Sequence, residues 1–292
     1  MNRYAMSMNQ VMLDSPLLEK SLEGNRFRNI EFSIGSLPTA ETTRKNVTKL
    51  RKLVDQGMLN LASYHLPFAP FESLGVTDGN ENSRKRAVQL LLENLSCFEG
   101  FGIREITIHC GGEPNSPETR PGKMRQMVRS CLEFQDILEK WGASLNLELL
   151  PRTCIGNHED ELLAMLEQLP EQSYNICLDV NHLMGRYAEL PGIIKKCSSR
   201  LHSFHISDYD GVDECHWPVG HGIIDWAKVK AAIDALSRDV LIIVEINRLE
   251  TWEPRRVNPA LYFHSGEECC LRLEYAQDWE MKRKRLLGQP EN

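Results

Sequence analysis

No apolar run in the chain approaches the roughly 20 residues that span a bilayer. The opening Met1-Asn2-Arg3-Tyr4-Ala5-Met6 also lacks the apolar core of a secretory signal. Both absences point to a cytoplasmic protein without a membrane partner. Positive charge is not in excess either: 34 Lys and Arg face 41 Asp and Glu, mixed along the sequence for a net −7. That balance argues against a nucleic-acid partner and for a small or neutral one. With 14 Pro and 19 Gly in 292 residues, the chain is neither linker-dominated nor fibrous, and it is expected to fold as one domain over residues 1–292. Nothing decides for or against a homo-oligomer. There is no CxxC pair, the nine cysteines are odd in number, and adjacent Cys269 and Cys270 rarely bridge without strain. Cys97, Cys131 and Cys177 lie in apolar runs and read as small core residues, so the thiols are expected to be reduced.

What the sequence does have is alternation. Short β-type apolar runs cover Tyr4–Asn9, Asn29–Ile34, Leu59–His65, Glu105–His109, Ser144–Glu148, Asn175–Asp179, Ser203–His205 and Val240–Glu245. Between them, apolar residues recur at three and four positions over Thr39–Gln56, Ser83–Phe101, Lys123–Lys140, His158–Leu169 and Asp225–Ser237, with a short helix at Leu17–Gly24 and a final one at Cys269–Leu287. The basic run Lys282-Arg283-Lys284-Arg285 reads as the solvated end of that last helix. Asn157 and Gly142 read as helix caps. Strands that are short and mostly apolar, separated by helices, mean a parallel sheet covered on both faces. Eight such units favour a closed (β/α)8 barrel, an α/β fold. Two stretches, Phe68–Glu81 and Arg248–Gly266, are long for connections and read as loops over the site.

The ionisable residues carry the functional signal. His65, His109, Glu148, Asp179, His205 and Glu245 each close a separate apolar run, and the carboxyl ends of barrel strands are where active sites are built. Glu148 and Glu245 are flanked by apolar residues and are costly to bury unpaired. A metal ion or Arg152 has to compensate the first, a metal ion or Arg248 the second. Asp179 and His182 form an Asp-x-x-His step. His205 opens a polar loop with Asp208, Asp213, His216 and a Gly220-His221-Gly222 turn, after which Asp225 caps the next helix and Trp226 begins it. Trp217 and Trp252 fall in loops at the same end and suit either a sugar face or plain packing.

Over roughly residues 29 to 250 these motifs resemble the xylose-isomerase-like sugar isomerase and epimerase barrels, a family that includes the apurinic-site endonuclease branch. The resemblance implies that Glu148, Asp179, His205 and Glu245 ligate one divalent cation and that His182 contacts substrate. Three carboxylates and one imidazole suit Mn2+ first, with Mg2+, Co2+ or Zn2+ as alternatives, better than a structural zinc site. Such an ion would polarise a carbonyl and stabilise an enediolate, while Glu148 and Glu245 serve as the acid and base that move the proton. A keto sugar or polyol is the implied substrate, with His65, His109, Arg152, His182 and His216 as its contacts. The ketose 3-epimerases carry an extra Glu and an Arg that this chain lacks, so the reaction class is better supported than any one sugar. A lyase or dehydratase acting on an inosose or 3-keto-glycoside uses the same chemistry. A phosphodiesterase with three zinc ions needs an Asp-x-His step, to which Asp213 and His216 do not conform.

Overall fold

The computed structural model describes residues 3–71, 73–246 and 258–286. Arg248 and Trp252, and most of the long segment containing them, lie outside the described residues. Eight parallel strands close on themselves in chain order: β1 (Tyr4–Asn9), β2 (Asn29–Ser33), β3 (Asn60–His65), β4 (Glu105–His109), β5 (Ser144–Glu148), β6 (Tyr174–Asp179), β7 (Leu201–Ile206) and β8 (Leu241–Val244), the last pairing with β1. This is the (β/α)8 barrel that the alternation predicts.

Each strand sorts its residues by the two-residue period of extended backbone. One set is apolar and fully buried against the helices, as with Ile30, Phe32, Tyr64, Ile106, Leu145, Leu147, Ile176, Leu178 and Phe204. On β3, Tyr64 packs its ring 4.3 Å from that of Phe98 in the following segment. On the strands from β2 to β7 the other set includes polar residues that bond across the barrel interior: Ser63 to Glu31, Asn146 to Glu105 and Ser203, Asn175 to Ser144. Barrel interiors are normally filled by branched apolar side chains. Here a hydrogen-bonded polar column stands beneath the strand ends instead.

Several helices differ from expectation, each for a local reason. The Lys123–Lys140 stretch is two helices, Arg120–Leu132 and Gln135–Trp141. Met127, Cys131, Phe134 and Leu138 stay buried across the break at helical spacing, so periodicity alone runs straight through it. The final helix likewise begins earlier, with Asn258 as cap and Pro259 in its first turn, and divides at Tyr275 into Pro259–Glu274 and Ala276–Leu286. His158, not Asn157, caps the helix Glu159–Leu166, its ring accepting from the Asp160 amide. The Leu17–Gly24 helix shortens to Leu18–Glu23, and a further turn, Gln10–Asp14, is capped by Asn9. Periodicity also misses the 3-10 turns at Asn181–Glu189 and the helix Leu190–Cys197 that follows them. Gly142 and Asp225 cap as expected, the first in the left-handed conformation at φ 58°. All nine cysteines are free; Cys131 and Cys177 are buried, whereas Cys97 is exposed rather than in the core. No helix among the described residues is long and apolar enough to cross a membrane.

The loop after β7 is held by an acid of the polar stretch that follows His205. Asp208 is fully buried. Its carboxylate accepts from the amides of Tyr209, Gly220 and Ile224 and from the Trp226 indole at 2.8–3.1 Å. The Gly-x-Gly turn exists for this packing, because a Cβ on Gly222 would sit 2.2 Å from the Tyr209 carbonyl and 2.5 Å from the Asp208 carboxylate. Asp208 is therefore structural. Asp208→Ala strands four donors and is expected to lower the unfolding free energy by about 3 kcal/mol in a denaturant titration.

Candidate metal centre

Adjacent strand ends bring the predicted residues together. Register pairs His109 with Glu148 and Asp179 with His205 on neighbouring rungs. Glu148 is the hub. Its Oε2 lies 3.1 Å from His65 Nε2 and 2.9 Å from His109 Nε2, while its Oε1 lies 3.1 Å from His205 Nδ1. His205 Nδ1 also stands 3.0 Å from Glu245 Oε2 and 3.8 Å from Asp179 Oδ2. One ligand atom from each of Glu148, Asp179, His205 and Glu245 falls within 4.8 Å of the others. Arg152 does not compensate Glu148. It turns away to Glu113, Glu214 and Asp213, bridging the loops that follow β4 and β7.

Asp179 divides its two oxygens. Oδ1 accepts from the Asn181 and His182 amides at 2.7 and 3.3 Å, which starts the 3-10 turn and carries His182 over the site. Oδ2 is buried without a hydrogen-bond partner and faces His182 Nδ1 at 3.5 Å. Such an orphaned carboxylate oxygen, converging with two more carboxylates and an imidazole, fits a divalent cation.

Above this cluster lies a second layer. His182 Nε2 and His216 Nε2 each sit 3.3 Å from Glu214 Oε1. Ser207 Oγ contacts His216 Nδ1 at 3.1 Å. Glu214, not Asp213, is the acid that faces His216. Sequence reading passed over it, although the Glu214-Cys215-His216 step was there to be seen. Arg152 and His216 hold left-handed φ values of 51° and 48°, a conformation that costs about 1 kcal/mol or more per residue without glycine. Trp217 is partly buried, its backbone paired with that of Asp208.

The electrostatics follow from this crowding. Burial alone would raise Glu148, but the charges and hydrogen bonds of His109 and His205 hold its carboxyl well below the ordinary range. Burial opposes charge on His65 as well, yet its hydrogen bond to Glu148 and that group's charge push it up to about 9. His182 rises to about 10 against its burial through Asp179 and Glu214. Asp179 is pushed up, chiefly by burial, with Glu245 and Glu148 adding to it. Glu245 falls to about 2 despite burial because His205 faces it, whereas burial wins at His109 and lowers it. Acids and imidazoles with separated titrations, gathered at a barrel mouth, mark a functional site.

A family model described as xylose isomerase-like TIM barrel matches residues 27–261. The chain belongs to the xylose isomerase-like TIM barrel family. An uncharacterized protein of Methanocaldococcus jannaschii is 23% identical over 206 residues, 69% of either chain. Solved structures of xylose isomerase-like fold are also similar. A D-tagatose 3-epimerase-like protein matches with TM-score 0.73 and 19% identity over 94% of this chain and 99% of its own. An L-ribulose 3-epimerase matches with TM-score 0.72 and 19% identity over 98% of each. The 3-keto-D-glucoside 4-epimerase of E. coli matches with TM-score 0.69 and 16% identity over 92% and 99%.

Proposed function

We propose that the protein is a divalent-metal-dependent isomerase or epimerase of a keto sugar or polyol. The observation that carries this reading is the convergence of Glu148, Asp179, His205 and Glu245 within 4.8 Å. The sugar epimerases among its structural relatives support the substrate class. When bound, the cation, with Mn2+ favoured over Mg2+, Co2+ or Zn2+, would polarise the substrate carbonyl. Glu148 and Glu245 are the proposed acid and base. They contact His205 Nδ1 through separate oxygens at 3.1 and 3.0 Å, which places them around the same space, where one takes the proton beside the carbonyl and the other returns it. His65, His109, His182 and His216 ring this space as the proposed substrate contacts, with Arg152 at the rim. A dehydratase or lyase on an inosose or 3-keto-glycoside begins with the same proton removal. The single domain is proposed to work in the cytoplasm on a small molecule, without nucleic acid or membrane.

A panel of keto sugars incubated with the Mn2+-loaded protein in deuterium oxide tests this. Label is expected next to a carbonyl in at least one sugar, and that sugar names the substrate. Absence of exchange across epimerase, lyase and dehydratase substrates would remove the proposal.

One feature favours a second reading. His65, His109 and Glu148 form a ligand group beside the central one, and Asp179, His182 and His216 form another. Three adjoining groups suit a multi-zinc phosphodiesterase, with Glu214 in the place where that branch carries an acid two residues before its histidine. Elemental analysis separates the readings: one ion per chain supports the epimerase, three zinc ions the phosphodiesterase.

A further inference from the structure

We infer that Glu31, on the opposite wall of the barrel, is the positioning residue that fixes the His205 imidazole for cation binding. The inference rests on the proposed role of His205 as a ligand.

Glu31 lies in the middle of β2, flanked by the fully buried Ile30 and Phe32. It is itself without exposure, and a carboxylate in that position has to be satisfied from within. Half of it is. Oε2 accepts from Ser63 Oγ at 2.7 Å and from Thr107 Oγ1 at 3.4 Å. Oε1 has no hydrogen-bond partner, and neither does His205 Nε2. These two orphaned atoms face each other at 3.1 Å, each without another partner. The β2–β3 register also shifts between Ile30 and Glu31, an irregularity of the kind that re-aims a side chain.

The imidazole has two nitrogens, and the structure gives each a different task. Nδ1 stands among Glu148, Glu245 and Asp179. To bind a cation there it must carry no proton, so the ring's remaining proton sits on Nε2, and Glu31 Oε1 is the acceptor waiting for it. A carboxylate behind a ligating histidine fixes both its tautomer and its orientation. If Glu31 served only to anchor Ser63 and Thr107 in the polar column, its loss would leave the metal site untouched.

The test uses Zn2+ in competition with a chromophoric chelator, together with long-range proton–nitrogen correlation spectra of the zinc-loaded chain. The wild type is expected to show His205 protonated on Nε2. Glu31→Gln retains shape and an acceptor without charge, and it should weaken Zn2+ binding by about 10-fold. Glu31→Ala should weaken it by about 100-fold. Ser63→Ala removes the anchor but not the facing oxygen, and its affinity should stay at the wild-type value. Should Glu31→Ala fail to fold, the isosteric Glu31→Gln carries the measurement. Unchanged affinity in the Glu31 variants, or a wild-type proton on Nδ1, overturns this inference alone. A wild type that takes up no zinc overturns the metal reading and this inference with it.

Discussion

Glu148→Ala is expected to strip the protein of its bound cation, lowering divalent-metal affinity by far more than the about 10–100-fold that outer partners are worth. The reason is the hub geometry. One carboxylate oxygen is shared by His65 and His109 and the other faces His205, so its removal opens the centre and leaves three imidazoles without their common counter-charge. The same change should destabilise the metal-free protein by about 3–5 kcal/mol, the cost of leaving one side of a buried ion pair alone. Glu148→Gln separates the two effects, because it keeps the volume and loses the charge. Elemental analysis after gel filtration reads the first effect and denaturant melts read the second. A Glu148→Ala protein that retains its ion with unaltered affinity would remove Glu148 from the centre.

Cation binding is expected to strengthen steeply with pH, and the metal-free protein to weaken over the same interval. His65 at about 9, His182 at about 10 and the strongly raised His205 are all lifted above their ordinary 6.5. A group raised on folding stabilises fully below its unfolded value and loses that contribution as pH climbs through its folded one. For the metal-free chain this loss runs from near 6.5 to about 10. The lowered Glu148 and Glu245 act at the other end: their contribution is present above the unfolded 4.5 and is lost as pH falls toward about 2. The metal-free protein should accordingly be most stable between these windows. The lowered His109 and raised Asp179 act against the trend. A cation reverses the upper limb, since it competes with protons for His205 Nδ1, and each proton displaced is worth about tenfold in affinity per pH unit. Thermal melts with and without Mn2+ at pH 6 and pH 8 check this. The stabilisation by metal should be much larger at pH 8, and equal stabilisation at both would show that no histidine proton leaves on binding.

Much of this site was legible from local pattern. His65, His109, Glu148 and Asp179 end their strands as expected, with His205 and Glu245 within one residue of an end. A polar residue terminating an apolar run is visible in one dimension, and the barrel rule then turns six such positions into a ring. Glu31 was not legible. It sits mid-strand between Ile30 and Phe32, where a carboxylate reads as the solvent face of an alternating strand, and only closure of the barrel converts that face into an interior. Asp208 failed in the opposite sense. A polar loop residue after a strand-end histidine suggests chemistry, yet its carboxylate is spent on four donors brought from as far along the chain as Trp226. Glu214 and Asp213 are neighbours, yet the first meets His216 while the second turns to Arg152, a division that local sequence does not record.

The sequence by itself determined the class of fold, the number of strands and the family, because hydrophobic period and strand-end chemistry are properties of neighbouring residues. The tertiary structure alone decided which atoms meet. Glu148 becomes a hub, His205 is caught between two walls of carboxylates and Arg152 is drawn off to the loops because closure brings β2 and β3 across from β7 and sets residues such as Glu31 and His205, 174 positions apart, at hydrogen-bonding distance. No periodicity records a contact of that range, since it is fixed by the curvature of the closed sheet and not by any property of the residues beside it.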